Sequence, residues 1–384
     1  MNFNTLYYKD PYQREFETRV KDVFKEKDYY KIELEDTCFF PEGGGQKPDT
    51  GFIGEIEVFD CQEKDNKIYH YTKETLEIGS KVFCKINFEK RLEFMRNHTG
   101  EHIVSGLICH KYNARNVGFH MGSDFVTMDF TVNLSKEQVE EIEKIANNVI
   151  MQNLKIDINI YSNEEAKNIE YRSKINLDGD VRIVNIPGVD ICACCGLHLK
   201  TTGEVGLIKI LSVEKYKTGC RVYMLTGHNI INDYNEKYKT VNDISTLLSC
   251  KIEEVFKSVE ELKNQVMKLE HEKNELRMKS YIEKISKLEK EDMVIFEEND
   301  ILMQDMKNIC NILDKDITKD ISVVLSKSEG DNLYRFYMMS KKYDLKNLVN
   351  YFKENYEAKG GGKEHQVQGQ MKYSEDVIKY LRTI

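Results

Sequence analysis

Two pairs of residues that commonly bind metals lie far apart in this chain. Together they place the strongest restriction on the folds that the sequence can adopt. His98 and His102 are separated by one helical turn, so both imidazoles can project from one face of a helix. Cys194 and His198 repeat the spacing, but Gly196 between them indicates a loop. Three histidines and one cysteine form a tetrahedral ligand set that suits Zn²⁺. The sequence therefore predicts a zinc site built by a helix and a distant loop.

The sulfur ligand is the least determined member of this set. Cys192, Cys194 and Cys195 all lie close to His198 in the sequence. The spacing favours Cys194 and leaves Cys195 as the alternative. A structural interpretation also stays open, because free cysteines often pack as small buried apolar residues. The ten cysteines are otherwise scattered, which favours free thiols in a reducing compartment over a disulfide framework.

The composition is that of a globular protein with two or three domains. Of its 384 residues, 40% are hydrophobic and 32% are charged. No apolar run approaches the roughly 18 residues that span a bilayer, and the N-terminal sequence does not resemble a signal peptide. We therefore expect a cytoplasmic protein with no membrane partner. The net charge of −9 means that any nucleic-acid partner must be inferred from motifs, because nucleic-acid binders usually carry a basic surface.

Hydrophobic periodicity predicts an α+β chain. Short alternating strands near the N-terminus indicate a small β-barrel, and residues 91–112 show the period of a helix. Asn116–Gly122 interrupts the pattern and is expected to be a loop before a strand. The predicted parts are an N-terminal β-barrel-like domain with a Gly-rich loop (1–90), a zinc-binding α+β domain (91–235), a helical or coiled-coil linker (236–293) and a small α/β domain (294–384).

Residues 236–293 contain no proline or glycine and are rich in Glu and Lys, which predicts one long helix. Apolar residues follow a heptad rhythm that is interrupted at Lys273. We expect a homodimer through this helix or through the C-terminal domain, and a helical spacer within one chain is the alternative. The heptad positions are Ile252, Val255, Val259, Leu262, Val266, Leu269 and Leu276.

Two glycine runs are candidate ligand-binding segments. Gly43, Gly44 and Gly45 precede Gln46, and glycine backbone can approach a ligand closely, although a tight loop without a ligand fits equally well. Near the C-terminus, Gly360, Gly361, Gly362 and Lys363 are predicted to form a loop whose N–H groups could hold an anion. This second run is not a P-loop, because the GxxxxGK[ST] pattern is absent.

Three motifs resemble one known family. Met95–His102 resembles the zinc signature of the editing domain of alanyl-tRNA synthetases and of their free-standing relatives, the AlaX-type editing proteins. Cys194–Gly206 resembles the second signature, and Phe39–Gln46 resembles the glycine-rich loop of these proteins. The resemblance covers about residues 1–225, and residues 294–384 look like the synthetase C-terminal domain, related to the nucleic-acid-binding end of the DHH phosphoesterases. Leu197 departs from the usual threonine.

The resemblance implies a zinc-dependent hydrolase that removes serine or glycine from mischarged tRNA(Ala). No residues resemble the aminoacylation core, so we expect hydrolysis without synthesis. Four protein ligands would close the zinc shell, which favours a role in positioning the substrate over generating hydroxide. The candidate site residues are Thr99 and Gln46 for the serine hydroxyl, His120 at the edge of the editing pocket, and Gly43, Gly44 and Gly45 as a pocket wall. For tRNA the candidates are Arg221, from the basic cluster nearest the zinc loop, and Gly360, Gly361, Gly362 and Lys363, from the second glycine run.

Two other functions fit parts of the sequence. A non-catalytic tRNA- or RNA-binding protein would use the same zinc ligands as a structural site. A zinc peptidase of the H-x-x-E-H type would use Glu101 as its base and a distant glutamate as its third ligand. That second interpretation leaves Cys194, His198 and the Gly-rich loop unexplained.

Overall fold

The computed structural model describes residues 3–122, 125–173, 179–328, 330 and 332–383. The chain divides into two compact units, Met1–Asp243 and Ile244–Ile384. The mixed α+β class and the N-terminal barrel predicted from the sequence are confirmed. The finer division into four domains stays a prediction. Among the residues described, we find no helix with the length and apolar character of a membrane span.

The first unit begins with a closed six-stranded barrel. The strand order is β1-β2-β5-β4-β3-β6, and antiparallel pairing of β6 with β1 closes it. Alternate side chains point inward because successive strand residues face opposite sides, and Phe16, Val20, Ile32 and Val58 fill the interior. The elements are α1 (Leu6–Lys9), β1 (Glu15–Lys25), β2 (Tyr30–Leu34), β3 (Gly51–Ile53), β4 (Ile56–Lys64), β5 (Lys67–Thr72) and β6 (Lys81–Ile86).

The remainder of the first unit is built around one long helix, α2. Asn87 caps its start by accepting a hydrogen bond from Lys90 N, and Asn113 ends it in the left-handed conformation. Two sheets, of strand order β12-β13-β8-β7 and β11-β10-β9, lie beside this helix. The elements are α2 (Phe88–Tyr112), β7 (Asn116–Met121), β8 (Val126–Phe130), α3 (Lys136–Gln152), β9 (Asp157–Tyr161), α4 (Asn163–Ala166), β10 (Val181–Ile186), β11 (Asp190–Ala193), β12 (Ile208–Tyr216) and β13 (Gly219–Thr226).

A buried ion pair fixes α2 against the Gly-rich loop of the barrel. The guanidinium of Arg91, in the first turns of α2, bonds the carboxylate of Asp49, with Nε 3.0 Å from Oδ2. The same guanidinium donates to the carbonyls of Pro11 and Cys38. Both side chains are almost completely buried, so either charge without its partner would be costly. The pair therefore sets where the segment after Gln46 lies relative to the histidines of α2.

In the second unit, helices cover both faces of a five-stranded sheet of order β14-β15-β16-β18-β17. Val323 packs with α8 and α9 on one face, and Val324 packs with α7 and the end of α6 on the other. The elements are α5 (His228–Leu248), which crosses the unit boundary, then α6 (Val255–Ile285), β14 (Met293–Asn299), α7 (Met303–Ile312), β15 (Ile321–Lys327), β16 (Leu333–Ser340), α8 (Lys346–Tyr356), β17 (Lys359–Lys363), β18 (Gln366–Lys372) and α9 (Asp376–Leu381).

Two predictions about this half of the chain are wrong. The single long helix breaks between α5 and α6, where Ser249 adopts a φ of 51° and Ser245 Oγ bonds the carbonyl of Cys250. The predicted glycine loop is an edge strand, β17, in which Gly360 and Gly362 pair with β18. A Cβ at Gly360 would lie 2.4 Å from the carbonyl oxygen of Gln368, so the glycines permit close strand pairing.

Candidate metal centre

The structure brings the four predicted metal ligands together. His98 and His102 project from α2, while Cys194 and His198 lie on the loop that follows β11. The Nε2 atoms of His98 and His198 lie 3.3 and 3.4 Å from Cys194 Sγ, and one ligand atom from each residue falls within 4.8 Å of all the others. Zn–N bonds of about 2.0 Å and Zn–S bonds of about 2.3 Å imply ligand separations of roughly 3.5 Å in a tetrahedron. The donor set therefore fits one tetrahedral ion.

Cys194, and not Cys195, contributes the sulfur of this cluster. Burial raises the pKa of the Cys194 thiol, but the neighbouring His98 and hydrogen bonding with His102 and His198 hold that pKa well below its usual range. For the Cys195 thiol, by contrast, burial is the dominant effect and the pKa is raised. Since a metal binds the thiolate, the electrostatics agree with the geometry.

The loop that carries Cys194 is held in place by hydrogen bonds to its own backbone carbonyls. Arg182 Nη1 donates to the carbonyls of Cys194 and Gly196, at 2.7 and 2.9 Å. Tyr8 Oη donates to the carbonyl of Cys195 at 2.8 Å, and its ring lies under the Arg182 guanidinium. These contacts hold the loop in place through protein atoms alone.

Gln46 and Thr99, which the sequence suggests for substrate recognition, both bond this loop. Gln46 Oε1 accepts a hydrogen bond from Leu197 N at 2.9 Å, while its buried Nε2 has no hydrogen-bond partner in the described structure. Thr99 Oγ1 lies 3.3 Å from His198 Nδ1 and accepts from Leu199 N at 3.2 Å. Thr99 thus orients a ligand histidine, and Gln46 offers a free donor beside the loop.

His120 lies in strand β7, not in the predicted loop, and its side chain is exposed. Because neighbouring strand residues face opposite sides, Phe119 points inward and stacks on the His98 ring with centroids 5.1 Å apart. Gly45 belongs to the same contact, since a Cβ there would lie 2.7 Å from the Phe119 ring. Phe119 could have been identified only by recognising this strand and its alternation.

A cavity of about 280 Å³ opens beside the cluster. Its lining includes Gly44, Glu101, Arg172, Arg182 and Cys192, together with His98, His102 and Cys194. Such a volume with a few polar groups is the usual setting of a small-molecule site. It has room for a small ligand next to the four clustered side chains.

Glu101 lines this cavity but is already engaged. Its Oε1 accepts hydrogen bonds from Ser105 Oγ at 2.8 Å and Asn116 Nδ2 at 2.6 Å. Cys194 and His198 complete the cluster beside the two helix histidines, whereas a peptidase of the H-x-x-E-H type needs a distant glutamate as its third ligand. Neither feature suits the peptidase interpretation.

Sequence reasoning missed two charged residues behind His102. Asp190 Oδ2 lies 2.9 Å from His102 Nδ1, and Arg172 forms a two-pronged ion pair with the Asp190 carboxylate. One usable signal lies in the sequence at Gly106, one turn beyond His102. A Cβ at Gly106 would lie 2.4 Å from the carbonyl oxygen of Val189, so glycine permits this close packing.

Of the other predicted contacts, the first glycine run lies beside the centre, while Arg221 and the second glycine run lie elsewhere in the chain. Arg221 pairs with Asp129, with Nε 2.6 Å from Oδ1 and Nη2 2.8 Å from Oδ2, and its guanidinium stacks on Tyr216. Gly43 bridges to Gln46 in a tight turn, and a Cβ at Gly44 would lie 3.2 Å from Gly196 N. Gly360–Lys363 belongs to the second unit and lies in the exposed strand β17.

Comparison with known proteins identifies close relatives of the chain. Residues 181–223 match the family model described as Threonyl and Alanyl tRNA synthetase second additional domain. The chain is 34% identical to Alanyl-tRNA editing protein AlaX-L of Pyrococcus horikoshii over 284 residues, 70% of each protein. It is 31% identical to Alanyl-tRNA editing protein Aarsd1-B of Xenopus laevis, covering 63% of this chain and 60% of that one.

A synthetase also matches over a greater length of this chain. The chain is 30% identical to Alanine–tRNA ligase of Methanococcus aeolicus over 387 residues, 95% of this chain and 41% of the ligase. The chain thus spans less than half of that enzyme. Among solved structures, the C-Ala domain of Aquifex aeolicus alanyl-tRNA synthetase matches 24% of this chain and 87% of its own, with 19% identity and a TM-score of 0.21.

Proposed function

The chain belongs to the family of alanyl-tRNA editing proteins, and we propose that it hydrolyses the ester bond of tRNA(Ala) mischarged with serine or glycine. The observation that carries this proposal is the cavity bordered by the four-ligand cluster and the Gly-rich loop. A seryl or glycyl group is small enough for that volume. The two relatives named as alanyl-tRNA editing proteins support the assignment of the reaction.

We infer that the resident metal is Zn²⁺, held by His98, His102, Cys194 and His198. Three imidazoles and one thiolate at these separations match the ligands and tetrahedral geometry that zinc prefers. When bound, zinc supplies a positive charge at the cavity and ties α2 to the loop after β11. Four protein ligands favour a positioning role for the ion.

The chain's own residues then present the ester. Gln46 Nε2 is a buried donor without a partner in the described part of the chain. Gln46 does not itself line the cavity, but Gly44 of the same turn does, so we propose that a serine hydroxyl or an ester oxygen of the substrate reaches this donor from the cavity. A site that hydrogen-bonds a hydroxyl rejects an analogue without one, which provides a means of sparing alanine. Thr99 acts through His198 in this scheme, by holding the ligand histidine in place.

We further propose that the second unit contacts tRNA through β17. Gly360, Gly361 and Gly362 are exposed on this edge strand, and Lys359 and Lys363 lie at its ends. Three residues without side chains allow a phosphate backbone to approach closely, and the lysines favour its charge. Arg221 is a weaker candidate, because Asp129 neutralises it.

A homodimer through α6 completes the proposal. Most apolar heptad residues of this helix are exposed, with Leu262 at 48% and Leu269 at 62% of their full accessible surface. A second copy of the same helix carries the matching repeat, so a coiled coil would cover both stripes. Light scattering of the purified protein should show a dimer that Leu262→Lys converts to a monomer. We also infer a cytoplasmic location, since all ten cysteines are free.

Deacylation assays test the central proposal. Purified protein is mixed with seryl-, glycyl- and alanyl-tRNA(Ala), and release of the amino acid is followed. We expect serine or glycine to be released rapidly and alanine to be spared. Tight tRNA binding without release of any amino acid would instead support the non-catalytic binding protein.

A further inference from the structure

His102 differs from the other two ligand histidines in what its second ring nitrogen contacts. Its Nδ1 lies 2.9 Å from a carboxylate oxygen of Asp190. His198 Nδ1 faces the neutral hydroxyl of Thr99, and His98 Nδ1 has no hydrogen-bond partner among the described residues. A carboxylate can only accept here, so the proton of a neutral His102 must lie on Nδ1. The lone pair is then on Nε2, which faces Cys194.

Asp190 is itself held rigidly. Arg172 Nε lies 2.6 Å from Oδ1 and Arg172 Nη2 lies 2.8 Å from Oδ2, a two-pronged pair that fixes the plane of the carboxylate. The Asp190 side chain is 1% exposed, so its orientation is set by protein contacts and not by water. One carboxylate plane therefore determines where the His102 ring points.

The backbone places both partners at this position. Arg172 N donates to the carbonyl of Ile191, and Ala193 N donates to the carbonyl of Arg172, so the Arg172 segment runs beside β11. On the other side, Gly106 lets Val189 and Asp190 pack directly against α2, because any larger residue would collide with them. These contacts use no atom of the four metal ligands.

We propose that Asp190, held by Arg172, is a positioning residue that fixes the tautomer and ring plane of His102 and so prepares the site for its metal. The inference rests on the proposed function only through the zinc site. Loss of the carboxylate partner of a ligand histidine typically weakens metal affinity by about 10- to 100-fold.

Zinc affinity of the full-length protein tests this inference without any tRNA. The dissociation constant is measured by competition with a chromophoric chelator for the wild type, Asp190→Asn, Asp190→Ala and Arg172→Met. We expect Asp190→Asn to weaken zinc binding roughly 10- to 100-fold, because one carboxylate oxygen becomes an amide nitrogen that would face a donor of Arg172 or His102. Arg172→Met should weaken binding less, since Asp190 keeps its bond to His102.

The visible spectrum of the cobalt-loaded protein supplies a second measurement. Tetrahedral Co²⁺ bands report the ligand geometry, so they should shift in Asp190→Asn. Asp129→Asn is the matched control: it breaks an equivalent two-pronged pair, with Arg221, on the sheet strand β8. We expect this control to keep wild-type zinc affinity and wild-type bands.

Zinc affinities within about twofold of wild type in both Asp190 variants, with unchanged cobalt bands, would overturn the inference. Should circular dichroism show that the Asp190 variants are unfolded, wild-type affinity and bands in Arg172→Met would overturn it as well. A wild-type protein that binds no zinc would remove this inference together with the proposed cofactor. A wild-type protein that binds zinc but cleaves no ester would contradict the proposed function alone.

Discussion

Gly196 packs so closely against His98 that a Cβ on residue 196 would lie 2.0 Å from the Cε1 atom of the imidazole. Real Cβ atoms do not approach other atoms at this distance, so any side chain there must displace the ring or the loop. The glycine between Cys194 and His198 is therefore part of what places the ligand atoms. This close approach explains why the loop after β11 can pack against α2 with glycine at position 196.

Gly196→Ala should weaken zinc binding at least roughly tenfold while leaving the fold intact, because the methyl group pushes His98 away from Cys194. Chelator competition measures the affinity, and circular dichroism reports the fold. Gly361→Ala is the control for zinc affinity, since a Cβ there meets no atom of the described residues within 4 Å. Equal zinc affinity in Gly196→Ala and wild type would contradict the described geometry.

Glu101→Gln should reduce deacylation less than about tenfold, because removal of a true general base costs about a hundredfold or more. The glutamine carbonyl can still accept from Ser105 and Asn116, so the local network persists. Initial rates with seryl-tRNA(Ala) measure the effect. Near-complete loss of activity in a folded, zinc-loaded variant would revive a role for Glu101 as a base.

His70→Gln should flatten the dependence of thermal stability on pH below neutrality. His70 is buried in the barrel, where Nδ1 donates to the carbonyl of Ile32 and Nε2 bonds Thr37, and burial lowers its pKa from 6.5 to about 4. Between about pH 4 and pH 6.5, His70 is protonated in the unfolded chain but neutral in the folded barrel. The contribution of His70 is therefore fully present above pH 6.5 and is lost as the pH falls towards 4.

The size of this effect is roughly 3 kcal/mol across the window, at 1.36 kcal/mol for each pKa unit. Glutamine can make both hydrogen bonds without titrating. Melting temperatures of the two proteins, measured from pH 7 to pH 4, provide the comparison, and loss of zinc in acid affects both alike. Parallel curves would show that His70 is protonated inside the barrel.

Gly361→Asp should weaken tRNA binding roughly threefold to tenfold at low salt, with the loss shrinking as salt is added. The new carboxylate would repel the phosphate backbone, and the position has room for a side chain. Filter binding measures the affinity, and an unchanged melting temperature shows that β17 is intact. Equal affinity for tRNA would exclude this strand as a contact.

Local patterns explain which parts of the centre could be predicted. His98 and His102 follow from helical spacing, and Cys194 with His198 follows from a loop motif, so each pair lies within a few residues. Asp190 and Arg172 act on His102 only through tertiary contacts that no spacing reveals. Phe119 does not follow from the sequence, because the pattern over Asn116–Gly122 predicts a loop where β7 forms. Without a strand there is no alternation to turn His120 outward and Phe119 inward.

The same limit appears in the second unit. The helical run breaks at Ser249, whose left-handed backbone lies within a turn closed by the hydrogen bond from Ser245 Oγ to the carbonyl of Cys250. Nothing in the composition forbids helix there. Glycines have little intrinsic preference for strands, yet β17 forms because β18 offers a partner with matching register. In both places the tertiary environment outweighs the local preference.

Release of serine from seryl-tRNA(Ala) by wild type and by a His98→Ala, His102→Ala double variant tests the account most directly. His110→Ala is the matched control, because His110 lies on the same helix with an exposed side chain. We predict rapid release by the wild type and by His110→Ala, and none by the double variant when circular dichroism shows it to be folded. Undiminished release by the folded double variant would place the chemistry outside this centre and contradict the account.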